Sequence, residues 1–254
     1  MGAIETIFGI TPLFFAAAVG VTCMAGFVKG AVGFAMPMIM ISALGSFLPP
    51  DMALAALIGP TLMANLWQAL RQGMAQALQS AMRFRRFLLV GLVFLIGSAQ
   101  LFRVLPVQVL FLLIGTPVVL FSIAQLLGWR PRFAGGLAEV ALAAVAGFSG
   151  GLSGVWGPPT VAYLTAMDTP KAEHVRVQGV IYACGAVALL VAHIQSGVVR
   201  GETAPLTLAM LAPAAIGMWI GVRLHDRMDQ ERFRMVTLAV LVLAGLNLIR
   251  RGMM

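Results

Sequence analysis

The stretch GFVKGAVGFAMP, Gly26 to Pro37, decides how this chain is read. It sets a lysine, three glycines and a proline inside an otherwise apolar run, residues that a lipid-facing helix does not accommodate cheaply. The pattern returns without a gap as GFSGGLSGVWGP, Gly147 to Pro158. The two copies share the opening glycine and phenylalanine, two further glycines and the closing proline. A chain that repeats such an interruption is an internal duplication, with a first repeat over residues 1–130 and a second over 131–254.

Around these stretches the sequence alternates between apolar runs and short basic loops. Of its 254 residues 60% are hydrophobic and only 10% charged, too little charge to cover the surface of a soluble domain of this size. Apolar runs fall at roughly 11–48, 52–70, 87–103, 106–127, 134–167, 175–195, 205–222 and 235–249. The predicted class is an all-α, polytopic integral membrane protein with about 8–10 membrane segments. The net charge of +8 does not point to nucleic acid, because the arginines sit in loop clusters such as Arg83 to Arg86 that set orientation. The N-terminal stretch MGAIETIFGI has no basic region, and its acid Glu5 argues against a cleaved signal peptide. Cys23 and Cys184 both fall in apolar segments, so neither a disulfide framework nor a metal set is expected.

The first and fifth runs are too long and too glycine-rich for one straight helix. If each enters and returns on one side, twelve of the 17 basic residues lie inside: Arg71 to Arg86, Arg130, Arg132, Lys171, Arg176 and Arg223 to Arg234. Four lie outside, and Lys29 is left in the membrane. A single crossing for each long run gives a much weaker bias. The charge rule therefore predicts inverted-topology repeats, broken or re-entrant at the glycines, with both termini outside or periplasmic. Non-helical backbone at membrane depth must be buried in protein or line an aqueous cavity.

The tips supply the substrate-binding candidates Lys29, Gly30 and Gly33 in the first repeat, and Ser149, Gly151, Ser153, Gly154, Trp156 and Gly157 in the second. Lys29 is read either as the charge that holds an anion or as a side chain that snorkels to the headgroups. The glycines are read as exposing amides at half-helix N-termini, against the alternative of close helix packing. Ser149 and Ser153 either add hydroxyl donors or bond to their own helix. The stretch IGPT adds Gly59, Pro60 and Thr61, with Pro60 expected to break its helix, and VQGV adds Gln178 and Gly179 at the matching place. Asn65, Trp67, Gln68 and Tyr182 are secondary candidates. Glu139 and His193 are the coupling-proton candidates; His174 and His225 fall in predicted loops, so no histidine cluster forms. Met36, Met38 and Met40 cannot converge on one ion at helical spacing, and no nucleophile–base pair stands at a familiar spacing. Neither metal, cofactor nor enzyme activity is expected.

Two glycine-rich stretches of this form, one in each half of a polytopic chain, resemble the TauE/SafE family of sulfite and organosulfonate transporters, also called the sulfonate uptake permease family. The similarity covers essentially the whole chain. It is looser at Gly33 to Pro37, where Phe34, Ala35 and Met36 stand in place of further glycine. The resemblance implies secondary transport of small sulfur-containing anions such as sulfite or sulfoacetate, across the cell inner membrane, with the bilayer as the other partner. The alternatives from other classes are a channel and a non-transporting accessory subunit.

The charge count yields a topology prediction. Single cysteines at Gln79 and Gln230, in a background lacking Cys23 and Cys184, are expected to be shielded from an impermeant thiol reagent in intact cells. Labelling of Gln230→Cys from outside would restore parallel halves.

Overall fold

The computed structural model describes residues 7–99, 107–129, 136–153, 156–195 and 197–254. Among them are twelve helices and no strand. The first half of the chain gives α1 (Pro12–Val32), α2 (Met36–Leu44), α3 (Pro50–Leu70), α4 (Met74–Arg83), α5 (Arg85–Ala99) and α6 (Val107–Leu126). The second gives α7 (Gly136–Ser153), α8 (Gly157–Ala166), α9 (Lys171–Gln195), α10 (Ala204–Ala209), α11 (Leu211–Arg227) and α12 (Gln230–Met253).

Local chemistry places the helix ends. Thr11 caps α1, its hydroxyl accepting from the Phe14 N–H at 3.4 Å, and Asp229 caps α12 through the Arg232 N–H at 2.8 Å. Proline stands in the first turn of α1, α2, α3, α8 and α10, where its missing N–H costs nothing. Asp51, Glu139, Glu173 and Glu231 occupy first turns, facing the positive ends of their helix dipoles. Four helical stretches among the described residues are long and apolar enough to cross a bilayer: Pro12–Val32, Asp51–Leu70, Ala204–Arg227 and Gln230–Met253.

The two long glycine-rich runs each resolve as a longer helix followed by a shorter one. In the first, α1 closes with Gly33 in the left-handed region at φ 92°, and Ala35 follows at φ 73° before α2 begins. The break expected at Pro60 does not occur. Helix α3 runs unbroken through Pro60, and α9 runs unbroken through Gln178 and Gly179. A membrane helix tolerates one proline because the single lost bond leaves the rest of the ladder intact, and neighbouring side chains re-satisfy freed carbonyls. Here the Thr207 hydroxyl donates to the Ala55 carbonyl one residue from the gap.

The chain divides into two compact units, each drawing on both halves of the sequence. One comprises Met1–Gln72 with Gly179–Arg227 and the other Gly73–Gln178 with Met228–Met254. In the first, α1 and α11 meet backbone to backbone. A side chain at Gly26 or Gly30 would strike the carbonyls of Ala214 or Met218, and one at Gly217 or Gly221 those of Cys23 or Phe27. Small residues four apart on both helices are what permit this approach where no hydrophobic effect drives association. Beside it, Met36, Met40, Leu44, Ile58, Leu206 and Met210 form the apolar core joining α2, α3 and α10.

The second unit repeats the device. Gly147 of α7 lies against Gly91 of α5, and Gly115 of α6 against Gly245 of α12. Helix α4 turns Ala77 and Ser80 inward and leaves Met74, Leu78 and Met82 exposed. It is tied to α9 by the Arg176 guanidinium donating to Ser80 Oγ at 2.7 Å and by an Arg83–Glu173 ion pair at 2.8 Å.

The packing makes glycine positions unequal. Gly217→Ala is expected to lower stability by about 1–3 kcal/mol, because the methyl group must force two backbones apart. Gly20→Ala, in the same unit but facing open space, is expected to be neutral or slightly stabilising. Thermal unfolding of the purified variants in one detergent compares them; equal losses would mean that α1 and α11 do not meet at Gly217.

Candidate functional site

Lys29 lies in the last turn of α1 and is 1% exposed. Its aliphatic stem and its ammonium are both enclosed by protein. Nζ donates to Asn65 Oδ1 at 2.5 Å and to the Gly33 carbonyl oxygen at 2.9 Å. The Tyr182 ring centroid stands 5.2 Å away, within the range of a cation–π contact. A cation at a helix C-terminus is favoured by the dipole and by the unpaired carbonyls there. Yet both hydrogen-bond partners are neutral, and among the described residues no carboxylate forms an ion pair with Lys29.

The partners come from one face of α3. Thr61, Asn65 and Gln68 are spaced four and three apart, which stacks them on a single side of the helix. All three are buried. Asn65 Nδ2 donates to the Tyr182 carbonyl at 3.3 Å, and Gln68 Nε2 donates to the Lys29 carbonyl at 3.0 Å. These bonds orient both amides, so that Asn65 turns its oxygen to the ammonium and Gln68 Oε1 is left without a partner. The Thr61 hydroxyl is likewise buried and unbonded. Gly179 brings α9 against the backbone of Gln68 and Ala69, where any side chain would collide. The result is a buried polar cluster of Lys29, Asn65, Gln68 and Tyr182 inside the first unit, with Thr61 one turn along the same face of α3.

The other candidates from the sequence are distributed differently. Gly30 faces the α11 backbone, and the Gly33 amide donates to the Lys29 carbonyl at 2.8 Å, closing α1. These amides sit at a helix C-terminus and are used within the chain, unlike the free N-terminal amides expected from the glycine spacing. Gly59 packs on the Thr207 side chain, and Pro60 is buried within α3. Gln178, fully buried in α9, has no hydrogen-bond partner on either side-chain atom.

In the second tip Trp156 precedes α8, and its ring occupies the space that a side chain at Gly150 would need. Gly157 opens α8, and Ser149 Oγ donates to the Ala146 carbonyl of its own helix at 3.0 Å. Gly154 lies outside the described residues; Gly151 and Ser153 fall within α7, with the Ser153 side chain outside the description. Glu139 is partly exposed in the first turn of α7, and His193 lies in α9 with its side chain outside the described part.

Two histidines assigned to loops are instead buried in helices. His174 belongs to the first turn of α9 and packs edge-on against Phe233, with ring centroids 5.3 Å apart. His225, in the last turn of α11, places Nδ1 3.2 Å from the Ala31 carbonyl oxygen. Apolar composition thins at both helix ends, and this hid their helical turns.

With four described helical stretches long and apolar enough to cross a bilayer, this is a multi-pass membrane protein. The profile of the family described as sulfite exporter TauE/SafE matches residues 17–248, and the chain belongs to that family of membrane transporters. No curated protein and no solved structure matches it.

The cluster around Lys29 predicts an asymmetric pair of mutants. Asn65→Leu is expected to cost about 1.5–3 kcal/mol by leaving a buried ammonium short of an acceptor. Adding Lys29→Met removes the charge itself, so the double variant is expected to be more stable than Asn65→Leu alone. Equilibrium unfolding in mixed micelles checks this, and a double variant less stable than either single would show that the ammonium is not the strained partner.

Proposed function

We propose that the protein is a secondary transporter of small sulfur-containing anions, sulfite, sulfoacetate or a related organosulfonate, in the cell inner (plasma) membrane. The observation that carries this reading is the Lys29 ammonium, buried with only neutral partners. On insertion scales a lysine at the bilayer centre costs about 2.5–3.5 kcal/mol, and two neutral acceptors offset only part of that. An anion reaching the cluster completes the neutralisation, which makes substrate binding favourable at the point where the empty protein is least satisfied. The same cost disfavours the empty site during the conformational change, a natural basis for coupling movement to occupancy.

Alternating access between two inverted repeats, residues 1–130 and 131–254, is the mechanism we attach to this site. Support comes from the succession of helices. Each half contributes a long helix, a short one, a long one, a short one and two longer ones. The first helix of each half packs on the fifth of the other, α1 on α11 and α7 on α5, and the last two pair together, α6 on α12. Such exchanged pairings are what a two-fold relation between repeats produces. With the termini outside, as the loop charges favour, the tip bearing Lys29 faces the interior of the protein from the first repeat.

The test uses purified protein in liposomes and in detergent. Flux of sulfite is expected to saturate, and ethanesulfonate binding to Lys29→Gln is expected to weaken about tenfold to a hundredfold, the loss of one charge-assisted contact. Unchanged affinity in folded Lys29→Gln would move the anion site elsewhere, and linear, non-saturating flux would indicate a channel.

A further inference from the structure

Helix α4 carries an outward stripe that the second unit leaves uncovered. Met74, Leu78 and Met82 stand four apart, which sets them on one face, and they are 60, 59 and 64% exposed. The face turned into the protein is made of Ala77 and Ser80 instead. In a helix that serves only the core, the large apolar side chains point inward. Here the order is reversed, so the stripe is built for something outside the chain. At 10 residues, about 15 Å, α4 is too short to cross a bilayer.

The charges beside the stripe identify the partner. Between Asp51 and Glu139 the sequence holds no acidic residue. The corner from α4 into α5 is anchored by Phe84 and Phe87, both buried, the second stacked on Tyr163 with ring centroids 4.9 Å apart. That leaves Arg83, Arg85 and Arg86 exposed around it. Arg83 pairs with Glu173, but Arg85 and Arg86 form no ion pair among the described residues. They also occupy the first turn of α5, where the helix dipole disfavours a cation, whereas α3, α7, α9 and α12 each place an acid there. An anion at this corner offsets both the unpaired charge and the dipole. Beyond it α5 runs on with Leu89, Val93 and Ile96 exposed along one face, so the corner lies where a lipid-facing helix begins.

We infer that α4 lies flat in the headgroup layer of the membrane and that the corner after it selects anionic phospholipid. Met74, Leu78 and Met82 enter the boundary between headgroups and acyl chains, and Arg85 and Arg86 hold the lipid phosphate. Guanidinium groups match a phosphate through paired N–H donors, a geometry that a zwitterionic headgroup answers less well because its own cation competes. A short helix of this kind binds through its buried apolar area together with the attraction of nearby arginines to anionic lipid. The stripe supplies the first term and the corner the second.

Two measurements on the full chain test the two terms. In vesicles of phosphatidylcholine and phosphatidylglycerol, nitroxide labels are placed on Leu78→Cys or Gln79→Cys in a background lacking Cys23 and Cys184. The label at position 78 is expected to relax with dissolved oxygen, which concentrates in the acyl region, and the label at 79 with a water-soluble nickel chelate. Equal nickel access at both overturns the position given to the stripe. A label at 78 shielded from both reagents overturns it too, and assigns the stripe to a second protein chain. In detergent, fluorescent phosphatidylglycerol is expected to bind more tightly than fluorescent phosphatidylcholine. Arg85→Gln with Arg86→Gln is expected to erase about 25-fold of that preference, about fivefold for each arginine. Arg85→Lys with Arg86→Lys keeps the charges and is expected to keep most of it. An unchanged preference in the glutamine protein, or an equal loss in the lysine protein, overturns the phosphate contact. Displacement of the lipid by free glycerol 1-phosphate makes the corner a site for soluble phosphates and overturns the lipid assignment.

Discussion

The direct approach of α1 to α11 is the constraint on which the rest of the first unit depends. Four glycines let two helix backbones touch, and in doing so they fix the rotation of α1 about its axis. Gly26 and Gly30 are committed to α11, so Lys29, one residue before Gly30, is turned off that seam. It meets α3 instead, where Thr61, Asn65 and Gln68 form a polar face. Were α1 held by large interdigitating side chains, a small rotation would be cheap and the ammonium would lose Asn65. Backbone contact makes that rotation costly, and a buried charge demands such precision because each lost acceptor is paid in full.

Much of the fold was legible in the amino-acid sequence. Each of the eight apolar runs holds a helix or a pair of helices among the described residues, four of those stretches long and apolar enough to cross a bilayer, and the interruption at Gly33 falls where the backbone turns left-handed. Glycine, proline and apolar periodicity are local signals, and membrane helices obey them closely because no water competes for their backbone. Pro60 was the exception: its effect depends on what surrounds it, and the helix continues through it.

The site was less legible for the same reason. Lys29 stands out in any reading because a charge in an apolar run is conspicuous. Asn65, Gln68 and Tyr182 do not, since an isolated amide near a helix end is common at membrane surfaces. Their importance lies in which helix they face, and nothing in their spacing says that Lys29 stands opposite. The glycines erred in the other direction. Spacing that fits anion-binding amides also fits helix seams, and Gly30 belongs to a seam.

Ala35 has a consequence of a different kind. It holds φ at 73° although it carries a methyl group, whereas Trp156, its counterpart in the duplicated stretch, sits at φ −98° in the ordinary right-handed range. Left-handed torsion costs an alanine about 1–2 kcal/mol that a glycine would not incur. The first tip therefore carries strain at this position that the aligned residue of the second does not. Any movement that returns Ala35 to common torsions recovers that energy, a bias of roughly fivefold or more between the conformers it separates. The first tip thus behaves as a cocked spring two residues beyond the turn that the lysine caps.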